Sequence, residues 1–194
     1  MNSCCDPNQS VSTMKKLRRA VELNTKGAYL VESNDLDEAY EYFKYALDNI
    51  VCAELTITMQ HQPGRCDDGD ISRILSKKEL KERPFKMSFG DSSFFVYDEP
   101  LLFSTEKQED SLENLAFYRC VALFNLALVC HLRSYNVDSW SVYKALHFYE
   151  LSLACSKDCA NHANCLEVAA AALNNKASIY FEFCEFATAR MVLD

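Results

Sequence analysis

The stretch Leu23-Asn24-Thr25-Lys26-Gly27 recurs later in the chain as Leu173-Asn174-Asn175-Lys176-Ala177. Twelve residues after Gly27 comes Ala39, and twelve after Ala177 comes Ala189, with Phe43 and Leu193 four residues further on. Ala46 follows Phe43 after three more residues. A third, stretched copy lies between these two, as Asn125-Leu126-Ala127 followed by Ala145, Tyr149 and Ser152. The chain therefore carries an internal repeat.

Apolar side chains around these copies recur every three or four positions, which is the period of an amphipathic helix. The first such stripe begins near Ser10 and is interrupted by Ser33-Asn34-Asp35. Asp35 has the side chain to cap a second helix that continues through Leu47. Helical periodicity returns at residue 110 and continues to the end. With only four Gly and four Pro in 194 residues, a turn-rich all-β fold is disfavoured. We predict a mainly α-helical fold.

Small side chains at matched places explain how such helices could pair. One small residue in the first helix of each copy would face one in the second, and a side chain larger than Ala would separate the helices at about 1–3 kcal/mol. Larger residues then fill the wedge between neighbouring pairs. The predicted repeat positions are Gly27, Ala39, Phe43, Ala46, Ala127, Ala145, Tyr149, Ala177, Ala189 and Leu193.

This spacing resembles the tetratricopeptide repeat (TPR), a helix–turn–helix unit of about 34 residues. Leu23 and Leu173 stand where the motif often has an aromatic residue. The stretch Phe95-Val96-Tyr97-Asp98-Glu99-Pro100-Leu101, followed by Phe124-Asn125-Leu126-Ala127-Leu128, is also similar to uncharacterised repeat proteins from diatoms. The resemblance implies antiparallel TPR-like hairpins stacked into an α-α superhelix. An irregular helical bundle with coincidental Ala and Gly spacing stays open as the alternative.

The domain organisation expected from the sequence is a disordered tail over residues 1–9 and one TPR-like domain over residues 10–194. An insertion over 51–110 separates the first and second hairpins. Residues 51–59 contain β-branched side chains in partial alternation, and residues 92–104 predict one or two strands around a turn. Residues 71–83 predict a short helix. The insertion is therefore expected to be small and β-containing.

The net charge and the targeting signals of the chain indicate which classes of partner and which compartment to expect. A net charge of −8 argues against nucleic acid or an anionic membrane surface as the main partner. We find no secretory signal and no apolar run long enough to span a membrane. Cytoplasmic localisation is expected, with the nucleus as an alternative because Lys15-Lys16-Leu17-Arg18-Arg19 could act as an import signal. In that reducing compartment the ten cysteines are expected to be free, mostly buried thiols.

Four asparagines are candidate ligand-binding residues. Repeat proteins of this kind commonly hold extended peptides on the face formed by their first helices, and an amide can both donate to and accept from a peptide backbone. The candidates are Asn24, Asn125, Asn174 and Asn175. The alternative is that these amides tie adjacent helices together or face water. The Lys and Arg clamp of chaperone-tail binders is missing, since Ala28 and Asn175 occupy two of its positions.

Catalytic and cofactor motifs are absent. The sequence has no phosphate-binding glycine loop, no nucleophile elbow and no H-E-x-x-H zinc motif, so no enzyme activity and no cofactor are expected. The pattern Cys155-x3-Cys159-x2-His162-x2-Cys165 supplies weak candidate zinc ligands, but its spacing fits no standard site. Thiols at a helix end are the simpler interpretation. An enzyme whose site is assembled from distant residues remains a further alternative.

The leading functional hypothesis is a non-catalytic scaffold whose repeat groove binds an extended peptide or a partner helix of another protein. In this hypothesis residues 92–104 cover one edge of the groove. The alternative is a structural or assembly subunit that docks another copy or another chain through an incomplete C-terminal hairpin, or a fragment of a longer repeat protein. In that hairpin we expect partial exposure of four apolar residues, which are Phe183, Phe186, Met191 and Leu193.

Overall fold

The computed structural model describes residues 7–61, 97–103, 112–136, 140–158 and 163–193. Almost all of them belong to helices, so the predicted mainly helical fold is confirmed. The described helices are α1 (Pro7–Glu32), α2 (Leu36–His61), α3 (Leu112–Asn136), α4 (Trp140–Asp158), α5 (Ala163–Glu182) and α6 (Phe186–Leu193). Helix α1 starts three residues before the predicted Ser10, with Pro7 at its first position, where a missing N–H is tolerated.

A tight turn joins α1 to α2. Asn34 has a positive φ of 60°, and its N–H donates to the Val31 carbonyl at 2.9 Å. The Asp35 N–H donates to the Leu30 carbonyl at 2.8 Å, which completes a Schellman motif. Asp35 then caps α2 as predicted, because its carboxylate accepts the Glu38 N–H at 3.3 Å.

The turn from α5 to α6 has the same structure. Cys184 has a φ of 57°, its N–H donates to the Phe181 carbonyl at 2.9 Å, and the Glu185 N–H donates to the Tyr180 carbonyl at 2.9 Å. Asn34 and Cys184 follow Gly27 and Ala177 by the same seven residues. The two copies found in the sequence therefore fold into the same local structure.

Helices α1 to α4 each run antiparallel to the next helix along the chain. Lys16 of α1 donates to the Thr56 hydroxyl of α2 at 3.2 Å, whereas Lys26, ten residues later, bonds Tyr42. The contacts that join α2 to α3 and α3 to α4 show the same antiparallel course. Residues nearer the end of one helix contact residues nearer the start of the other. Helix α5 packs on both α3 and α4, and α6 packs chiefly on α5.

Helix α3 is the centre of the hydrophobic core. Every residue from Cys120 to His131 is buried. Its segment Leu115–Tyr135 is long and apolar enough to cross a membrane, contrary to the expectation that no such run exists, but 89% of the most apolar window is buried inside the protein. Burial under α2, α4 and α5 accounts for this apolarity without a membrane, because core helices are apolar on all sides.

The small repeat residues lie where helices meet. A Cβ added to Gly27 would be only 2.7 Å from Cε1 of Phe43, and Ala39 and Ala46 are fully buried beside it. The alanines at the other predicted positions, and Tyr149, are buried as well. Leu193 differs: it is 61% exposed and fills no wedge, since α6 packs chiefly on α5.

The predicted β character of the insertion is not found in the described residues. Residues 51–59 are the last turns of α2, where Ala53 is buried and the hydroxyls of Thr56 and Thr58 donate to carbonyls four residues back. Packing here outweighs the β preference of branched side chains. Helix α2 ends at His61 and α3 begins at Leu112, so the stretch between them is shorter than 51–110. The predicted helix over 71–83, most of the predicted strand region and residues 1–6 lie outside the described residues.

Candidate functional site

Residues 97–103 cross the helical layer without regular secondary structure, and we call them the strap. Phe103 is buried against Tyr118 with ring centroids 4.8 Å apart, and Leu101 is half-buried. Leu102 between them is 57% exposed. Pro100 favours an extended conformation at the preceding Glu99, because its ring disfavours the helical region there. The strap is therefore a piece of irregular chain anchored at alternate side chains.

Asn125 of α3 holds the strap through its main chain. Its Oδ1 accepts the Leu101 N–H at 2.8 Å, and its Nδ2 donates to the Leu101 carbonyl at 2.8 Å. An N–H and a carbonyl of one residue face the same way in an extended strand, where a hydrogen-bonded pair exchanges both bonds. The Asn125 amide thus imitates a neighbouring strand. Asn125 therefore binds main-chain atoms alone, and these hydrogen bonds do not depend on the Leu101 side chain.

Asn24 of α1 completes this anchor. Its Nδ2 donates to the Leu101 carbonyl at 3.0 Å, and its Oδ1 accepts a second bond from Asn125 Nδ2 at 2.8 Å. Both amides are fully buried. The alternative interpretation of these amides is therefore found here, because they tie α1 to α3, and they also bind an extended segment of the same chain.

Asn175 of α5 binds the other end of the strap. Its Nδ2 donates to the Tyr97 carbonyl at 2.8 Å and lies 3.1 Å from the Tyr149 hydroxyl. The Tyr97 carbonyl fixes the orientation of this amide, because a carbonyl can only accept. Asn175 Oδ1 is buried and has no hydrogen-bond partner among the described residues. Asn174, the fourth candidate, is half-buried and makes no hydrogen bond within the described ranges.

Near Tyr149, which bonds Asn175, lies a polar cluster of buried His131 and half-buried Tyr135 and Glu182. The Tyr135 hydroxyl donates to Glu182 Oε1 at 2.6 Å and lies 3.3 Å from His131 Nε2, with the two rings stacked. Burial lowers the pKa of His131 to about 3, and it raises the pKa of Glu182. Burial also raises the pKa of Tyr149, which packs edge-on against His131. The imidazole is therefore neutral at pH 7 and stabilises the packing of α3 on its neighbours.

The cysteine-rich pattern is only partly described. The Cys155 thiol accepts a hydrogen bond from Arg119 Nε at 3.1 Å, and a guanidinium beside the sulfur opposes cation binding. Cys165 is disulfide-bonded, so its sulfur is no free ligand and the expectation of a free thiol is wrong for this residue. Cys159 and His162 lie outside the described residues. Among the described residues no group of three His, Cys, Asp or Glu side chains could hold a metal.

No known relative supplies a function. No family model, no curated protein and no solved structure matches this chain. The likeness to TPR proteins therefore rests on the residues of this chain alone.

The sequence pointed to three of the asparagines but missed their partner. Asn24, Asn125 and Asn175 follow from the repeat, which places them two or three residues before the close-packed small residues. From the sequence, residues 92–104 were expected to cover one edge of the groove, but nothing in the spacing indicated that residues 97–103 would bind the three asparagines, because the strap has no repeat signal. The hint was Asp98-Glu99-Pro100, a local signal for irregular chain beside an apolar anchor.

Proposed function

We propose that this protein is a non-catalytic interaction scaffold that binds an extended polypeptide of another protein across α1, α3 and α5. The observation that carries the proposal is the pair of 2.8 Å hydrogen bonds between the Asn125 amide and the Leu101 main chain. A buried amide that exchanges two bonds with one residue selects an extended backbone, whatever side chain that residue bears.

We propose a TPR-like architecture, in which α1 pairs with α2, α3 with α4 and α5 with α6. The antiparallel courses of α1 to α4 and the equivalent turns at Asn34 and Cys184 support it. In such an arrangement the first helices of the pairs are α1, α3 and α5, and each supplies one asparagine that contacts the strap. Repeat proteins use the concave face formed by such helices for binding. Asn125 and Asn175 occupy equivalent repeat positions, two residues before Ala127 and Ala177, which an irregular bundle would match only by coincidence.

The chemistry of the groove indicates the class of partner. Its described polar contacts are neutral amides, which suit a peptide backbone better than phosphates or a lipid headgroup. The net charge of −8 also disfavours nucleic acid and anionic membranes as partners. We propose a protein or peptide partner, no cofactor, and a cytoplasmic site of action.

A selection from a random peptide library tests the proposal. The purified chain is used as bait, and the affinity of each selected peptide is measured by fluorescence polarisation against the chain, Asn175→Ala and Asn174→Ala. We expect Asn175→Ala to weaken binding at least tenfold, and Asn174→Ala to leave it unchanged because Asn174 contacts no strap residue. Equal affinity for all three proteins would contradict a groove built on Asn175.

A second candidate function, assembly with another copy of this chain, is favoured by the surface around α6. Phe186, Met191 and Leu193 are more than half exposed, and Phe181 packs edge-on against Phe186 while remaining 46% exposed. The partial exposure expected for this hairpin is confirmed. An apolar patch of this kind is commonly covered by a partner.

A further inference from the structure

Asn125 and Asn175, the two amides that hold the ends of the strap, differ in how many of their hydrogen-bonding groups have partners. Asn125 uses both its acceptor and its donors, because Oδ1 binds the Leu101 N–H and Nδ2 binds the Leu101 carbonyl and Asn24. Asn175 uses only Nδ2, and its buried Oδ1 has no partner among the described residues. A buried acceptor without a hydrogen bond lowers stability, because the loss of its hydration is not offset. The strap therefore fits one half of the site better than the other.

A second unpartnered polar atom lies beside the poorly fitted half. The hydroxyl of Ser178 is buried without a hydrogen bond in the described residues, three positions after Asn175 on α5. Residues three apart lie on neighbouring positions of one helix face. The strap therefore supplies no hydrogen-bond partner to two adjacent buried polar groups on α5, the Asn175 Oδ1 atom and the Ser178 hydroxyl.

The strap itself has few anchors outside this site. Its apolar contacts are those of Phe103 with Tyr118 and of half-buried Leu101 with the core, while Tyr97 is 39% exposed and the side chains of Asp98, Glu99 and Leu102 are exposed. Its hydrogen bonds to the scaffold use main-chain atoms of Tyr97 and Leu101, which any extended peptide can also offer. A peptide in trans could therefore replace the strap bond for bond.

We propose that the strap is an internal ligand, which occupies the groove until an extended peptide from a partner displaces it. The displacing peptide runs in the same direction, with an aromatic residue at the position of Phe103, an apolar residue at that of Leu101 and no constraint at that of Leu102. Its residue at the Tyr97 position donates its N–H to Asn175 Oδ1, so that Asn175 exchanges two bonds as Asn125 does. This inference rests on the proposed function and adds its regulation.

Competition by the strap has a measurable consequence. A ligand segment within the same chain acts at an effective concentration on the order of mM, and an incoming peptide binds only the fraction of molecules whose groove is open. A change that weakens the strap without altering the groove raises that fraction. The affinity for a peptide in trans then increases by the same factor.

The test uses the full chain and a fluorescent, N-acetylated peptide with the strap sequence Tyr-Asp-Glu-Pro-Leu-Leu-Phe as the probe. Two variants weaken the strap. Phe103→Ala removes its buried ring, and Leu101→Pro removes the N–H that Asn125 accepts. Leu102→Ala, at an exposed strap position, is the matched control. Circular dichroism confirms that each variant is folded, and the second weakening variant stands in if the first does not fold.

We expect Phe103→Ala and Leu101→Pro to bind the probe at least tenfold more tightly than the unmodified chain and Leu102→Ala. A probe N-methylated at its tyrosine nitrogen should bind the weakened variants about tenfold less tightly, because the donor to Asn175 Oδ1 is lost. Equal probe affinity for all four proteins would overturn the internal-ligand inference while leaving peptide binding standing. Failure of every protein to bind the probe, together with failure of the library selection, would overturn the proposed function as well. If the methylated and unmethylated probes bind the weakened variants equally, the proposed hydrogen bond from the probe's tyrosine N–H to Asn175 Oδ1 is overturned.

Discussion

The ring of Phe43 lies directly over Gly27, with its Cε1 only 2.7 Å from the place where a Cβ would be. Helices α1 and α2 approach one another here because residue 27 has no side chain. Phe43 is fully buried and surrounded by core residues, so its ring cannot move aside without disturbing them. This contact sets the separation of the first helix pair.

Gly27→Ala is therefore expected to destabilise the protein, although Ala is the better helix former. The added methyl group should cost about 1–3 kcal/mol through overpacking, against a gain of about 1 kcal/mol in helix propensity. In a Phe43→Leu background the ring edge is gone, and the same substitution should become stabilising. Urea unfolding of the unmodified chain, the two single variants and the double variant shows whether the effect of Gly27→Ala on the free energy of unfolding changes sign. The same loss from Gly27→Ala in both backgrounds would show that Phe43 is not the cause.

Asn125→Ala should lower the free energy of unfolding by about 2–4 kcal/mol, because it leaves the Leu101 N–H and the Asn24 carbonyl oxygen buried without these partners. Asn174→Ala, which removes an amide without a hydrogen bond among the described residues, should change it by less than about 0.5 kcal/mol. Denaturant titration of both variants gives the comparison. Similar losses from the two would mean that Asn125 has no special role in the fold.

The two ion pairs between α2 and α3 should differ in strength. Glu54 and Arg119 pair at 2.9 Å with side chains 18% and 20% exposed, whereas Asp37, paired with Arg133 at 2.9 Å, is 82% exposed. Glu54→Gln should destabilise by about 1–2 kcal/mol, because it leaves a guanidinium partly desolvated beside Cys155. Asp37→Asn should cost less than about 0.5 kcal/mol. Thermal or urea unfolding at low ionic strength measures both, and an equal cost would argue against burial as the deciding factor.

Buried His131 should make the stability depend on pH. Its pKa is lowered from 6.5 to about 3 in the folded protein, so between these values the unfolded chain binds a proton that the folded chain excludes. Its contribution to stability is complete above pH 6.5 and should decline by about 1.4 kcal/mol for each unit below it. The raised pKa of Glu182 acts in the opposite direction.

Urea unfolding between pH 7 and pH 4 tests this dependence. His131→Gln removes the titrating group and should flatten the profile relative to the unmodified chain. His147→Gln, at a half-buried position of α4, should retain the steep slope. Parallel profiles for all three proteins would assign the pH dependence to other groups.

Self-association through the α6 surface is expected to follow protein concentration. Light scattering should show an average mass that rises with concentration, and Met191→Glu should keep the protein monomeric by placing a charge in the apolar patch. Val11→Glu, at an equally exposed apolar position of α1, should still associate. A monomer at every concentration would remove the assembly hypothesis.

The helices and their register were predictable because they depend on local rules. The spacing of Gly27 to Ala39 and of Ala177 to Ala189 placed both turns, and Asp35 was correctly assigned as a helix cap. The repeat also made Asn125 equivalent to Asn175 and Asn24 equivalent to Asn174, and three of these four candidates bind the strap. Such features repeat within a few turns of helix, so periodicity and capping chemistry suffice to find them.

The errors arose where distant packing decides the outcome. Residues 51–59 have β-branched side chains but form helix, because Ile50 and Ala53 bury one face of α2. Leu193 matched the position of Phe43 yet is exposed, since burial depends on a neighbouring element and not on register. The segment containing the strap was expected at one edge of the groove, but its hydrogen bonds could not be predicted: they involve Asn24 and Asn175, which lie 77 and 78 residues from their bonding partners.

Those long separations also determine when the strap can dock as the chain folds. Its anchors belong to α1, α3 and α5, so its binding face does not exist until all three helices have packed. Contacts between residues far apart in sequence form slowly, because the intervening chain must first be ordered. We therefore expect the Leu101 amide to gain protection from solvent exchange last. Its protection marks the moment at which the whole helical array has assembled.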